Sequence, residues 1–225
     1  MDELVLPAAE AYAAAHTTPF AGAAAAAAEW TGAHSPSATM MAGLAEARLL
    51  EALLVVGGAR RVLEIGTFTG VGALTMAAAL PPDGRLTTVE VVPENAAHAR
   101  RHIDASPHRD RIELIVGDAL RTVGELDGPF DLVWIDAWKA DYPVYYELVL
   151  PKLADRGVIV ADNLFRGGST LDPETADAST RGVLEFARTV NGDERVHNVL
   201  LTIGDGVMLA WRVPGMRPET VRRPG

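Results

Sequence analysis

Apolar residues follow two rhythms along this chain, and the change falls near residue 60. Up to about Val56 the text reads as three helices, ELVLPAAEAYAAA, AGAAAAAAEW and SATMMAGLAEARLLEALLVV, rich in the strong helix formers alanine and leucine. In the third, Leu44, Ala47, Leu50 and Leu54 recur at the spacing of one helical face. Pro and Gly in TTPF and TGAHSP mark the breaks. From Arg61 onward, short and almost wholly apolar runs (RVLEIG, RLTTVEV, RIELIVGD, FDLVWID, GVIVADN) alternate with helical patterns (VGALTMAAAL, ENAAHARRHIDA, ALRTVGEL, YPVYYELVLPKL). Such strands joined by helices predict a parallel sheet covered on both faces. A further helix over DASTRGVLEFARTV leads to RVHNVLLTI and GVMLAWRV, separated only by GDG, a tight hairpin signal. The expectation is an α/β sheet of seven strands, five parallel and closing with an antiparallel pair. N-terminal helices precede it, and a loose Pro- and Arg-rich tail follows from residue 214.

Composition narrows this picture. A chain of 225 residues holds one substantial core and is short for two, so one unit is expected over residues 1–225. Hydrophobic content of 48% with 22% charged residues is ordinary for a globular protein. A formal charge of −10 argues against general affinity for nucleic acid or acidic membranes. The absence of cysteine removes disulfides and thiolate zinc sites, and permits an intracellular address. The start, MDELVLPAAEAY, is acidic where a signal peptide would be basic, and the alanines Ala23–Ala28 are too few and too weakly apolar to span a bilayer. The expectation is a soluble cytoplasmic protein.

One compositional detail concerns chemistry. Of 20 basic residues only two, Lys139 and Lys152, are lysine. Arginine stays protonated, whereas lysine loses its proton when desolvated or placed beside another cation. Lys139 stands three residues after Asp136 in IDAWKADY, at the end of an expected strand.

Three stretches at strand ends suggest a nucleoside ligand. EIGTFTGVG opens a helix after the first strand, with glycines at Gly66, Gly70 and Gly72 that let backbone approach a ligand. The spacing is not the dinucleotide fingerprint, which argues against a nucleotide-binding oxidoreductase. Glu64 in the turn would repel pyrophosphate and welcome a cation. Glu90 ends the second strand, where an acidic residue commonly holds ribose hydroxyls. Asp118 and Ala119 follow the third, where an adenine edge could bind. An adenosine-bearing ligand with a positive charge beside the glycines describes S-adenosylmethionine (SAM). Asp136, Asp162 and Asn163 end neighbouring strands and offer a hard, all-oxygen site that favours Mg²⁺ over zinc or copper. His98 and His102 are spaced i, i+4 like zinc ligands, with no third ligand in view.

With VLEIGTFTG, IDAWK, ADN and the IGDG hairpin in place, the chain from about Met40 to Arg212 resembles the metal-dependent, SAM-dependent O-methyltransferases of catechol and caffeoyl-CoA type. The resemblance implies the Rossmann-like seven-stranded methyltransferase sheet with a reversed last strand. Residues 1–56 would cover cofactor and acceptor, and residues 57–213 would form the cofactor-binding core. It implies that Glu64, Gly66 and Thr67, with Gly70 and Gly72, line the methionine end of SAM, that Glu90 holds the ribose, and that Asp118 and Ala119 flank adenine. Asp136 and Trp138 would also face the cofactor, Trp138 resembling the tryptophan of the catechol enzymes, and Met41 would open the cofactor-covering segment. Asp136, Asp162 and Asn163 would hold Mg²⁺, or another divalent ion such as Ca²⁺ or Mn²⁺, and Lys139 would be the general base. The implied acceptor is a small vicinal-dihydroxy aromatic of secondary metabolism, the implied assembly a homodimer, and the alternative a tRNA hydroxyuridine acceptor, against which the −10 charge counts. Gly167 stands where plant relatives place Asn, so a plant-type acyl-CoA acceptor is not expected. Phe165 and Arg166 are candidates for shaping the acceptor pocket. Trp30, Trp134 and Trp211 are assigned to core or interface.

Overall fold

The computed structural model describes residues 6–215; residues 1–5 and 216–225, and with them most of the expected loose tail, lie outside the described residues. Three helices come first: α1 (Pro7–Ala15), α2 (Gly22–His34) and α3 (Leu44–Gly57). Strands and helices then alternate as β1 (Arg61–Ile65), α4 (Val71–Ala79), β2 (Arg85–Glu90), α5 (Pro93–Asp104), β3 (Ile112–Val116), α6 (Ala119–Glu125), β4 (Phe130–Ile135), α7 (Tyr142–Val149) and β5 (Leu153–Ala161). After α8 (Ala178–Gly192) the hairpin β6 (Val196–Leu201) and β7 (Val207–Arg212) closes the described chain.

The strands form one sheet in the order β3-β2-β1-β4-β5-β7-β6. β1 to β5 pair in parallel, whereas β7 lies between β5 and β6 and runs against both. Alternation along the strands explains why they read as unbroken apolar runs. Val62, Leu132, Trp134 and Val160 face a core built with α2, α3, α4 and α5. Leu63, Ile65, Val133, Ile135 and Ile159 face another built with α6, α7 and α8. With both faces covered, neither set needs to be polar. The alanine run belongs to the first core: Ala24 and Ala27 are buried, and α2 packs on α4.

Several boundaries differ from the sequence reading. The third helix begins at Leu44 rather than near Ser37. A 3-10 turn covers Ala38–Met40, and Gly43 is extended (φ −67°, ψ 160°) with its N–H donated 2.5 Å to the Glu46 carboxylate, a capping arrangement that starts the helix there. The second helix runs past Trp30 to His34, with the Thr31 hydroxyl donating 2.7 Å back to the Ala27 carbonyl. The helix after Tyr142 stops at Val149, because Pro151 cannot supply the N–H that would continue it, and β5 starts at Leu153 ahead of the GVIV run. No helix among the described residues is long and apolar enough to cross a membrane.

The register places the chemistry. Ile65 pairs with Ile135 and Ile135 with Ala161, so Gly66, Asp136 and Asp162 leave the sheet side by side at its carboxyl edge. β1 sits between β2 and β4, where the strand order reverses and an open α/β sheet forms its crevice.

Candidate active site

A cavity of about 1160 Å³ opens on that edge. Of the residues singled out from the sequence, Met41, Glu64, Gly66, Thr67, Gly72, Glu90, Asp118, Ala119, Asp136, Trp138, Lys139, Asp162 and Asn163 all line it. Gly70 does not. It starts α4 with φ +93° and packs against Ala99 of α5, behind the wall.

The glycine-rich end is built by a turn pressed against the neighbouring strand. Gly66 has φ +96°, and a Cβ there would overlap the Asp136 carbonyl oxygen, so only glycine lets β1 turn this close to β4. A Cβ at Gly72 would overlap the Glu64 carboxylate. Glu64 is 1% exposed and accepts 2.5 Å from the Thr88 hydroxyl. Burial pushes its carboxyl up to about 8, with the charges of Asp136 and Glu90 adding to the effect and the Thr88 bond opposing it. Glu90 is also buried, and its carboxylate accepts from the backbone N–H groups of Thr67 (3.2 Å), Phe68 (2.7 Å) and Val92 (2.9 Å). It therefore ties the glycine turn to β2 as well as facing the cavity. Asp118 caps α6 by accepting 2.9 Å from the Leu120 N–H, and Ala119 is buried beside it.

At the other end, Asp162 is 4% exposed and accepts 2.7 Å from the N–H of Asn163, which holds a left-handed conformation (φ +60°). Burial pushes the Asp162 carboxyl up to about 8, and the neighbouring charges of Asp136 and Glu46 push in the same direction. The Lys139 amine donates 2.7 Å to Asp136 Oδ1 and 2.9 Å to the Tyr142 hydroxyl. Among the described residues no group of three His, Cys, Asp or Glu side chains is arranged to hold a metal ion. The expected donor set has only two acids, completed by the Asn163 amide.

Sequence reasoning did not single out four acids of this wall, Glu46, Asp141, Asp177 and Asp205, of which Glu46 couples in charge to Asp162, and Asp205 to Glu46. Glu46 is buried and its carboxyl is raised, first by burial and then by Asp136 and Asp205. Its signal in the sequence was the G-x-x-E spacing of a helix start; that of Asp205 was its place in the GDG turn. Arg166 lines the same end, as the loop after Asn163 suggested, whereas Phe165 lies against Gly206. Trp138 stands 65% exposed at the mouth, and Trp134 is both core and cavity wall, a correction to its assignment away from the pocket. His98 and His102 pack on Trp30 (ring centroids 4.4 and 5.2 Å), outside the cavity.

A family model described as O-methyltransferase matches residues 25–213, most of the chain and the whole sheet. The chain belongs to the O-methyltransferase family. This O-methyltransferase is 33% identical over 174 residues to the catechol O-methyltransferase of Niastella koreensis, covering 73% of this chain and 79% of that protein. Among solved structures it is similar to the O-methyltransferase TomG from Streptomyces achromogenes, involved in tomaymycin synthesis and in complex with SAM (32% identity, TM-score 0.83, 96% of this chain and all of that one). It is similar also to the SAH-bound methyltransferase PaMTH1 of Podospora anserina (26% identity, TM-score 0.85, 93% and 98% of the two chains).

Proposed function

We propose that this O-methyltransferase transfers a methyl group from SAM to one hydroxyl of a small vicinal-dihydroxy, catechol-like acceptor, assisted by a divalent metal ion, in secondary metabolism. The observation that carries this reading is the convergence of Asp136, Lys139, Asp162 and Asn163 at one end of a cavity whose other end presents Glu64 and Glu90. The SAM and SAH carried by TomG and PaMTH1 support the methyl donor. The Niastella catechol enzyme supports the acceptor class, and the role of TomG in tomaymycin synthesis supports the metabolic setting.

In this reading Glu64 faces the positively charged methionine end of SAM, which removes the cost of its buried carboxylate. Glu90, whose two oxygens also accept from backbone N–H groups, faces the ribose hydroxyls through its remaining lone pairs. The acid end fits a hard cation: Asp162 is nearly enclosed beside Asp136 and Glu46, and uncompensated carboxylates in that setting are costly. Asp136, Asp162 and Asn163 would hold it, and when bound it would lower the pKa of an acceptor hydroxyl and fix its orientation. Lys139 takes the hydroxyl proton. The acceptor oxygen then attacks the sulfonium methyl carbon in line as its bond to sulfur breaks and S-adenosylhomocysteine leaves, so that positioning by the cavity walls supplies much of the rate.

The test is release of S-adenosylhomocysteine by purified protein given SAM and a catechol panel that includes caffeic acid. Each acceptor is run with Mg²⁺, with EDTA, and with Lys139→Ala. Turnover is expected to need the metal and to fall roughly 100-fold or more without the lysine. Binding of SAM without turnover of any catechol would remove this acceptor class. The reading takes the working form to be a homodimer, which light scattering checks directly.

A further inference from the structure

Resting on the reading of Lys139 as the base, we propose that Tyr142 is its positioning residue: its hydroxyl aims the amine so that one bond direction is left for the acceptor proton. Tyr142 is fully buried on α7, and its hydroxyl lies where β4 and β5 end, 3.1 Å from the Ile135 carbonyl oxygen and 3.2 Å from that of Asp162. A phenol has a single proton, which it donates to one of these carbonyls, and its oxygen is left to accept. It accepts from Lys139 at 2.9 Å.

The geometry at the amine follows. Lysine nitrogen has four bond directions, one of them to its own chain. Two more point to Asp136 Oδ1 and Tyr142 Oη. The last is left for the cavity that Lys139 lines. Lys152 is the contrast. Its amine donates to the carbonyls of Val123 (2.6 Å), Gly124 (2.9 Å) and Leu126 (2.5 Å), which leaves no direction free. The backbone beneath Lys139 is fixed too. α8 packs on the Lys139–Asp141 turn through Gly182, where a Cβ would meet the Lys139 carbonyl oxygen and Ala140 Cα, each at 2.5 Å.

Tyr142→Phe removes the acceptor and keeps the ring. With only two lysines in the chain, ¹⁵N-lysine labelling gives two side-chain signals, and Lys152 is an internal control. The variant is expected to broaden the Lys139 signal and speed its exchange with water by about tenfold, following loss of one bond, while Lys152 stays unchanged. An unaltered Lys139 signal overturns the proposal, whatever the acceptor. Kinetics supply the second measurement. On catechol, kcat is expected to fall roughly tenfold with KM constant; on 4-nitrocatechol, whose hydroxyl ionises without help, the loss is about twofold or less. Equal losses on both acceptors mean a merely structural role and overturn the proposal. Lys139→Ala separates the two readings: if it loses equally on both acceptors, the lysine is not the base, and the ¹⁵N signals still decide whether Tyr142 positions it.

Discussion

Glu64 faces opposing demands. Its strand is buried on both faces, yet in the proposed function its carboxylate is needed only when the cationic methyl donor arrives. Because burial raises the carboxyl from an ordinary value of 4.5 to about 8, the folded protein binds a proton there that the unfolded chain has lost. The associated stability is complete below the unfolded value and disappears as pH rises through the folded one. Ligand-free Glu64→Gln is therefore expected to match the parent near pH 4 and to exceed its stability at pH 8 by on the order of a few kcal/mol. SAM binding should weaken in the same variant. Scanning calorimetry at the two pH values, with titration calorimetry for SAM, checks both; a stability difference independent of pH would contradict the account. Among basic residues, the bias to arginine that drew attention to lysine has a structural side. Arg212, 7% exposed, donates to the carbonyls of Leu150 and Leu153, and Arg111 to those of Leu80 and Pro81, tasks for a permanently charged fork.

At the scale of elements, α8 does more than cover the sheet. Gly182→Ala improves helix propensity by about 1 kcal/mol, yet its Cβ would press on backbone of the Lys139–Asp141 turn, and the collision dominates. The variant is expected to lose roughly 1–3 kcal/mol of stability and about tenfold in kcat, with SAM affinity unchanged. Thermal melting, SAM titration and steady-state kinetics test this, and a drop in SAM affinity to match kcat would assign the effect to general damage. Nothing in DASTRGVLEFARTV marks Gly182 as a contact point, because close approach between elements leaves no periodic trace in either. The same blindness explains MMAGLAEA: its composition reads as continuous helix, whereas extended backbone at Met41 and Gly43 interrupts it and the bond from Gly43 to Glu46 restarts it. Elements whose faces are set by burial alone, such as β1, β4 and α4, were readable from their rhythm.

For the molecule as a whole, site residues scattered from Met41 to Asn163 meet because parallel strands in matched register end together. That convergence was legible, since each acid followed an apolar run and the runs could be ordered. The remainder of the wall was not. Glu46 comes from the N-terminal helices and Asp205 from the hairpin turn, and both reach the cavity through packing that no single stretch encodes. Likewise GDG announced a hairpin without revealing that β7, not β6, would lie beside β5.

That strand order has a consequence for synthesis. The ribosome delivers β6 before β7, yet among the described residues the only sheet neighbour of β6 is β7, so β6 waits unpaired until the strand after it emerges. Meanwhile β5, whose Val160 ends fully buried, presents a bare apolar edge to every other nascent chain. A polypeptide stopped after Thr202 is thus expected to be lost to aggregates, as the soluble fraction after expression would report; a soluble, SAM-binding truncation would contradict it. The same late arrival carries the Gly206 and Asp205 carbonyls that receive the N–H groups of Leu164 and Phe165, so the loop following Asp162 and Asn163 is pinned only once the hairpin turn has emerged.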